Sequence, residues 1–460
     1  MVTASTPLSG LAGLLQCPRC RRAPLRADGE RYACRGCGQH YPRIGGIPWL
    51  FADPDAVLGE WRNRCSRYVE ECRAAAARAG EDLALAGRAA TRSRLERLAA
   101  GFAEQAQLVT LLLAPLGPLV TGTPLAAATQ QAFATRLPLT QDLHSYYVNV
   151  HRDWAWGEEE NARSLELVAG ALGARRERLL VLGAGACRLA YDLHVAQAAA
   201  TTVALDINPL LLLAAQRLLR GEPVVLYEFP IAPRAAGDVA LRRELRAPAA
   251  AAPGLELVFA DAWRAPFAPQ SFDAVLTPWL VDIVELDFEA IAAHVNRLLA
   301  PGGRWVNFGS LAFPWRRPAL QHGRDEALAI VAENGFAVRA VEEATLPYMR
   351  SPASRHARLE TVVVFAADKA RRAPREPGVP APPPWLADPR SPVPRSAALA
   401  LAADAARIQA VLLALVDGQR SLDDLVRIVV EQGLLPADAA ASAVRGLLER
   451  MHAAGERAAG

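Results

Sequence analysis

Apolar positions follow three different rules along the chain. Between residues 55 and 145, Ala and Leu recur at helical spacing with Arg and Glu between them, and breakers are few. That pattern predicts helices, split near the middle by Pro115, Pro118 and Pro124. From residue 179 the pattern changes to short apolar runs: Leu179 to Leu182, Thr202 to Leu205, Asp273 to Thr277 and Trp305 to Asn307. Strand-length runs alternating with amphipathic stretches predict an α/β fold with a parallel sheet. Phe336 to Val341 and Thr361 to Ala366 read as closing antiparallel strands. Near the C-terminus, Ala403 to Val416 is apolar-periodic and stops at Asp417-Gly418. Ser421-Leu422-Asp423-Asp424 reads as a capping box. Gly433 to Asp438 then turns into a third helix that ends near His452.

These shifts predict five segments: a small module over 1–54, a helical region over 55–145, an α/β domain over 146–369, a linker over 370–396 and a small helical domain over 397–460. Within the first module, residues 1–16 read as a loose lead. The linker is proline-dense, which favours extended chain and forbids a core. Residues 221–254 form an Arg- and Ala-rich insertion too long for a plain connection, so it is expected to cover part of a site.

Composition narrows the function classes. The chain has 460 residues, 52% of them apolar, and a net charge of +3, so bulk charge gives no sign of nucleic-acid binding. No stretch of about 18 apolar residues runs without charge or proline, so no membrane span is expected. No basic stretch precedes an apolar core at the N-terminus, so no signal peptide is expected and the reading is cytoplasmic.

Four of the seven cysteines form one pattern: Cys17-Pro18-Arg19-Cys20 and Cys34-Arg35-Gly36-Cys37. Two such knuckles can present four thiolates to one tetrahedral zinc. Two disulfides or a redox pair are the alternatives, and a reducing compartment disfavours them. Such a short module has little core of its own, so the zinc would be structural. Cys65 and Cys72 lie on one helix face and read as small buried apolar residues. With Tyr41 to Pro48, the knuckles resemble the zinc ribbons that accompany some RNA and protein methyltransferases.

Leu179 to Leu182 breaks into Gly183-Ala184-Gly185 and then a helical pattern. This reads as the strand, turn and helix start of a nucleotide-binding unit, with free N–H groups at the helix N-terminus, although a G-x-G after a strand also makes a plain tight turn. The next strand ends in Asp206, where a carboxylate can accept both ribose hydroxyls, although a strand-end turn also favours Asp. Asp261-Ala262, Asp273 to Thr277 and the Pro301-Gly302-Gly303 turn follow in order. That order resembles the class I S-adenosylmethionine-dependent methyltransferases, which implies a Rossmann-like seven-stranded sheet and S-adenosylmethionine as cofactor.

Tyr146 to Trp156 is densely aromatic and polar. It reads either as a staple docking the helical region on the sheet or as a lid over a ligand. Arg152-Asp153-Trp154 resembles the carnosine N-methyltransferase (N2227-like) family, as do Leu226 to Phe229, Asp282, Trp305 to Gly309 and Leu346-Pro347-Tyr348. The resemblance spans residues 140–368. It implies that Asn149 and Arg152 grip the cofactor, that Gly183 and Gly185 pass under its methionine part and that Asp206 holds its ribose. It places Asp261 and Ala262 beside the adenine. Asp282 and Tyr348 match acceptor-binding positions; Asp282 could equally cap the helix that follows strand four. Cys187 replaces a third glycine, and the family's histidine falls near Phe313-Pro314, where there is none. A second substrate tyrosine falls near Glu360. His194 and His294 lie in helical patterns and read as core or surface residues.

The expected function is methyl transfer to a nitrogen of a small imidazole-type compound or a peptide side chain. The alternative is a catalytically degenerate scaffold that binds a peptide or protein partner. The C-terminal segment resembles PqqD-like winged-helix domains, which bind leader peptides; a DNA-reading winged helix and a dimerisation bundle are the competing readings.

Overall fold

The structure is a computed structural model that describes residues 11, 13–29, 31–119, 143–284, 286–313, 317–374, 385 and 390–459. Pro124 and much of the 370–396 linker lie outside the described residues. Two compact units divide the chain, 1–379 and 380–460.

In the first unit, the cysteine module forms a four-stranded sheet of β1 (Leu25–Asp28), β2 (Arg31–Cys34), β3 (His40–Ile44) and β4 (Ile47–Pro48). Two helices follow, Pro54–Leu85 and Ala89–Leu112. Asp53 caps the first of them through Ala56 N. The break between them comes at Ala86 to Arg88, ahead of the prolines that the sequence offers as the main division. Cys65 and Cys72 are buried in this helix pair, as their apolar reading requires.

The main sheet comprises β5 (Arg176–Leu182), β6 (Ala199–Asp206), β9 (Leu255–Phe259), β10 (Phe272–Pro278), β11 (Leu299–Gly309), β12 (Phe336–Tyr348) and β13 (Arg358–Lys369). Its order is β12-β13-β11-β10-β5-β6-β9. β5, β6, β9, β10 and β11 run parallel, and β13 lies antiparallel between β11 and β12. This is the seven-stranded Rossmann-like sheet of the class I methyltransferase fold. The inner strands are buried on both faces, so they read as continuous apolar runs such as Leu179 to Leu182. The closing hairpin is longer than the apolar runs suggest, because its distal half carries polar residues, Glu342 and Glu343, opposite Val364 and Val363.

Insertion 221–254 folds into a separate antiparallel pair, β7 (Val224–Glu228) and β8 (Leu241–Leu245). The helix Ala89–Leu112 supports it: Phe102 stacks on Phe229 at 4.0 Å, and Gln105 Oε1 accepts the Tyr227 N–H at 2.9 Å.

The second unit contains helices Ala397–Ala414, Leu422–Glu431 and Ala437–Ala459, and no strand among the described residues. Ser421 and Asp424 form the expected capping box. Its core is Leu412, Leu425, Val429, Ala440 and Val444. No helix among the described residues is long and apolar enough to cross a membrane.

Candidate functional site

The turn after β5 is built on three left-handed residues: Gly183 at φ +72°, Gly185 at φ +58° and Cys187 at φ +67°. Gly183 and Ala184 both donate to Leu205 O at 2.9 Å, which ties the turn to the end of β6. A Cβ on Gly183 would stand 2.9 Å from Leu280, whereas one on Gly185 would meet nothing within 4 Å. The backbone at Gly185 therefore faces open space where a ligand can approach. Cys187 takes the conformation that a third glycine would adopt more easily, and its side chain is fully buried. The substitution keeps the turn.

Asp206 stands at the end of β6 beside that turn. Its Oδ2 accepts the Gly185 N–H and its Oδ1 the Asn208 N–H, both at 2.8 Å. The turn-residue reading is thus also realised, through Asn208, while the other oxygen orders the glycine turn. Burial pushes the Asp206 carboxyl up to about 6, against the pull of these backbone donors. Asp261 follows β9 and accepts the Trp263 N–H at 2.9 Å, capping the short 3-10 turn Ala262–Arg264. Burial raises its pKa as well, opposed by the Trp263 N–H, Arg264 and Arg21. The open face of Gly185, the carboxylate at the end of β6 and the polar turn after β9 are compatible with a nucleoside in this cleft.

Arg152–Trp156 forms a π-helical turn that continues the helix Leu143–His151, an irregularity frequent at functional sites. Trp154 is buried and donates from Nε1 to Ala186 O at 2.8 Å, inside the glycine turn. Tyr147 is buried too and donates to Tyr227 O. Both are staple contacts. Arg152 pairs with Asp153 at 2.7 Å and with Glu160 at 3.5 Å, and its guanidinium lies 5.8 Å from the centre of the Tyr348 ring. Asn149 is half-buried on the preceding turn.

Tyr348 ends β12 with its ring 4.7 Å from that of Trp279, just past β10, and with Arg358 over it at 4.8 Å. Asp282 is buried, and Ser310 Oγ at 2.6 Å and Ala312 N at 3.0 Å both donate to its Oδ2. It does not cap the following helix; Asp287 does, through Glu289 N. Leu280, two residues before Asp282, packs on Gly183.

The insertion meets the loop that joins β12 and β13. Ser351 donates to Glu228, Arg243 pairs with the same carboxylate at 2.8 Å, and Arg355 N donates to Ala232 O at 2.9 Å. Glu228 belongs to a motif that the sequence singles out, but Trp279, Ser310 and Arg358 carry no local signal and are found only by the fold. His194 is satisfied by Thr202 and Ala252, each at 3.2 Å, which suits a core role. His151 is buried and held neutral, its pKa pushed down to about 4 by desolvation.

The four cysteine sulfurs of Cys17, Cys20, Cys34 and Cys37 lie within 4.8 Å of one another. The closest contacts across the knuckles, Cys20–Cys34 at 3.6 Å and Cys17–Cys37 at 3.7 Å, are far too long for disulfides. Four converging sulfurs on two knuckles fit tetrahedral zinc. The Tyr41 hydroxyl lies 3.0 Å from Cys17 Sγ and can donate to the thiolate.

Residues 180–306 match the family model described as "Methyltransferase domain". Comparison with curated proteins gives no match. Among solved structures, YcgJ from Bacillus subtilis is similar over 46% of this chain and 99% of its own, at 14% identity and a TM-score of 0.33. NodS from Bradyrhizobium japonicum, an N-methyltransferase solved with S-adenosyl-L-homocysteine, is similar over 49% of this chain and 99% of its own, at 16% identity and a TM-score of 0.33.

Proposed function

We propose that the chain is an S-adenosylmethionine-dependent methyltransferase acting on a nitrogen of a small imidazole-type compound or a peptide side chain. The observation that carries this reading is Asp206, a buried carboxylate fixed by the glycine turn at the end of β6. When bound, the cofactor supplies a sulfonium methyl that is already electrophilic, so the chain has to align the acceptor and exclude water. In this reading Asp206 accepts the ribose hydroxyls, Asp261 and Ala262 flank the adenine, and Gly183 and Gly185 let the backbone approach the methionine part. Asn149 and Arg152 hold that part from the N-terminal side, with Arg152 to Trp156 as lid as well as staple. Among the described residues Asp282 receives two hydrogen bonds, both on Oδ2. In this reading Asp282 orients a basic nitrogen of the acceptor and accepts its proton, and Tyr348 contacts the acceptor. The cysteine cluster holds a structural zinc, the C-terminal unit recruits a peptide or protein partner, and the protein works in the cytoplasm.

Calorimetric titration of the zinc-loaded protein with S-adenosylmethionine and S-adenosylhomocysteine tests the reading. Micromolar binding that collapses in Asp206→Ala is expected, followed by turnover in a screen of histidine-containing acceptors. No binding up to millimolar ligand overturns the enzyme reading and leaves the binding scaffold.

A further inference from the structure

The cysteine module touches the α/β domain at the turn assigned above to the adenine. Its entry and exit both form backbone bonds there. Gln16 N donates to Pro266 O at 2.8 Å, Ala268 N donates to Leu14 O at 2.9 Å, and Leu15 bridges Phe267 antiparallel. On the other flank Leu50 N donates to Phe259 O at 2.8 Å, while Trp49 pairs with Phe259 in parallel. The chain leaving the module thus pairs with the open edge of β9 through a single bridge. Residues 260–268 are held on both sides by the same module.

Arg21 stands between these two flanks. It directly follows Cys20 and sits at φ +53°, a conformation imposed by the knuckle, since its N–H donates to Cys17 O at 2.9 Å. Gln16 Nε2 donates to Arg21 O at 2.9 Å, so the entry strand fixes the same residue. From this position the Arg21 guanidinium reaches Trp263 O at 3.5 Å, where Arg264 repels it and the Asp261 carboxylate attracts it. The residue that follows the first knuckle is therefore the one that reaches the turn capped by Asp261.

We propose that Arg21 is a positioning residue for the Asp261–Arg264 turn, through which metal at Cys17, Cys20, Cys34 and Cys37 orders that turn and tightens cofactor binding. Without metal the knuckle has little to hold its left-handed Arg21, and the guanidinium loses its fixed origin. The affinity part rests on the function proposed above; the ordering of the turn does not.

The test uses the full chain, zinc-loaded or stripped with a chelator, as wild type, Arg21→Ala and Arg21→Lys. Hydrogen exchange over residues 260–268, measured without cofactor, is expected to speed up on metal removal and in Arg21→Ala, with Arg21→Lys intermediate. S-adenosylmethionine affinity is expected to fall about tenfold in zinc-loaded Arg21→Ala, the scale of one charge-assisted hydrogen bond. Stripping should weaken wild type by more than it weakens Arg21→Ala. Zinc content and the main thermal transition of Arg21→Ala should match wild type, since all four sulfurs remain. Exchange that ignores both the metal and Arg21 overturns the proposal, as does equal affinity in all forms. Failure of the zinc-loaded wild type to bind cofactor at all is a different result: it overturns the enzyme reading and the affinity part together, and the exchange data still decide whether the knuckle orders the turn.

Discussion

Asp206 and Gly185 meet at 2.8 Å, carboxylate oxygen to backbone N–H, across the ends of two neighbouring parallel strands. The bond shapes the glycine turn, and under the proposed function the same carboxylate also binds the cofactor ribose. Its burial sets a pH dependence. The Asp206 carboxyl is pushed up to about 6, so the ionised form that accepts hydroxyl donors dominates only above that pH. Cofactor affinity is expected to be flat from pH 7 to 8 and to fall about tenfold per unit below about pH 6. The stability term has the opposite sign. The folded pKa lies above the unfolded value, so the folded state binds the extra proton and this group's contribution improves as pH falls from about 6 toward 4. Weakened binding at pH 5 would then reflect the site rather than unfolding through Asp206. Calorimetry between pH 5 and 8 checks this, and affinity unchanged at pH 5 would mean that Asp206 is not the ribose acceptor.

The two glycines of the turn separate folding from binding. Gly183→Ala combines a positive φ with a Cβ placed 2.9 Å from Leu280, and a destabilisation of about 2–3 kcal/mol is expected. Gly185→Ala meets open space and bears only the left-handed strain, about 1 kcal/mol. Its added methyl points where the cofactor would pass, so it should lose affinity out of proportion to stability. Denaturant midpoints and titrations on both variants test the contrast. Equal losses of affinity and stability in Gly185→Ala would place the ligand elsewhere.

Trp154 holds the segment before the sheet onto the glycine turn through Ala186 O, with Tyr191 edge-on at 5.5 Å and Arg188 over its face at 5.4 Å. Trp154→Phe keeps most of the apolar contact but leaves a buried carbonyl without its donor, at a cost of about 1–3 kcal/mol. Trp154→Ala is expected to cost about 3–5 kcal/mol. If the segment only staples, cofactor affinity of the folded Trp154→Phe protein stays at the wild-type level; if it is also a lid, affinity falls with it.

How legible each part was in the sequence follows the range of its interactions. The β5 turn, Asp206 and the cysteine pairs are local signals: glycine spacing, a strand-end acid and two knuckles. The inner strands showed as apolar runs because helices cover both faces. Apart from the Leu226 to Phe229 motif, the insertion gave only length and composition, since β7 and β8 are stabilised by Phe102, Glu104 and Gln105, more than a hundred residues earlier. The cysteine module looked like a bead of its own, because its contacts with the α/β domain, backbone bonds to Phe259 and Pro266 and the Trp49 ring on that of Phe259, join residues far apart in sequence and leave no local pattern. Trp279 and Tyr348 come together only because β10 and β12 end at the same edge of the sheet.

The cysteines supply the last prediction, because their environments differ sharply. Cys65, Cys72 and Cys187 are buried, and desolvation raises all three thiols, Cys65 and Cys72 to about 12. They should stay unreactive until the protein unfolds. Cys37 is exposed, so as a free thiol it would be open to a disulfide reagent. Its protection in the native protein therefore reports bound metal. With zinc in place, thiol titration is expected to find no fast-reacting cysteine; chelation should release one zinc and four reactive thiols, and denaturant the remaining three of the seven. Four fast thiols in the freshly purified protein, with no zinc by atomic absorption, would rule out the structural metal and remove the physical link on which the Arg21 coupling depends.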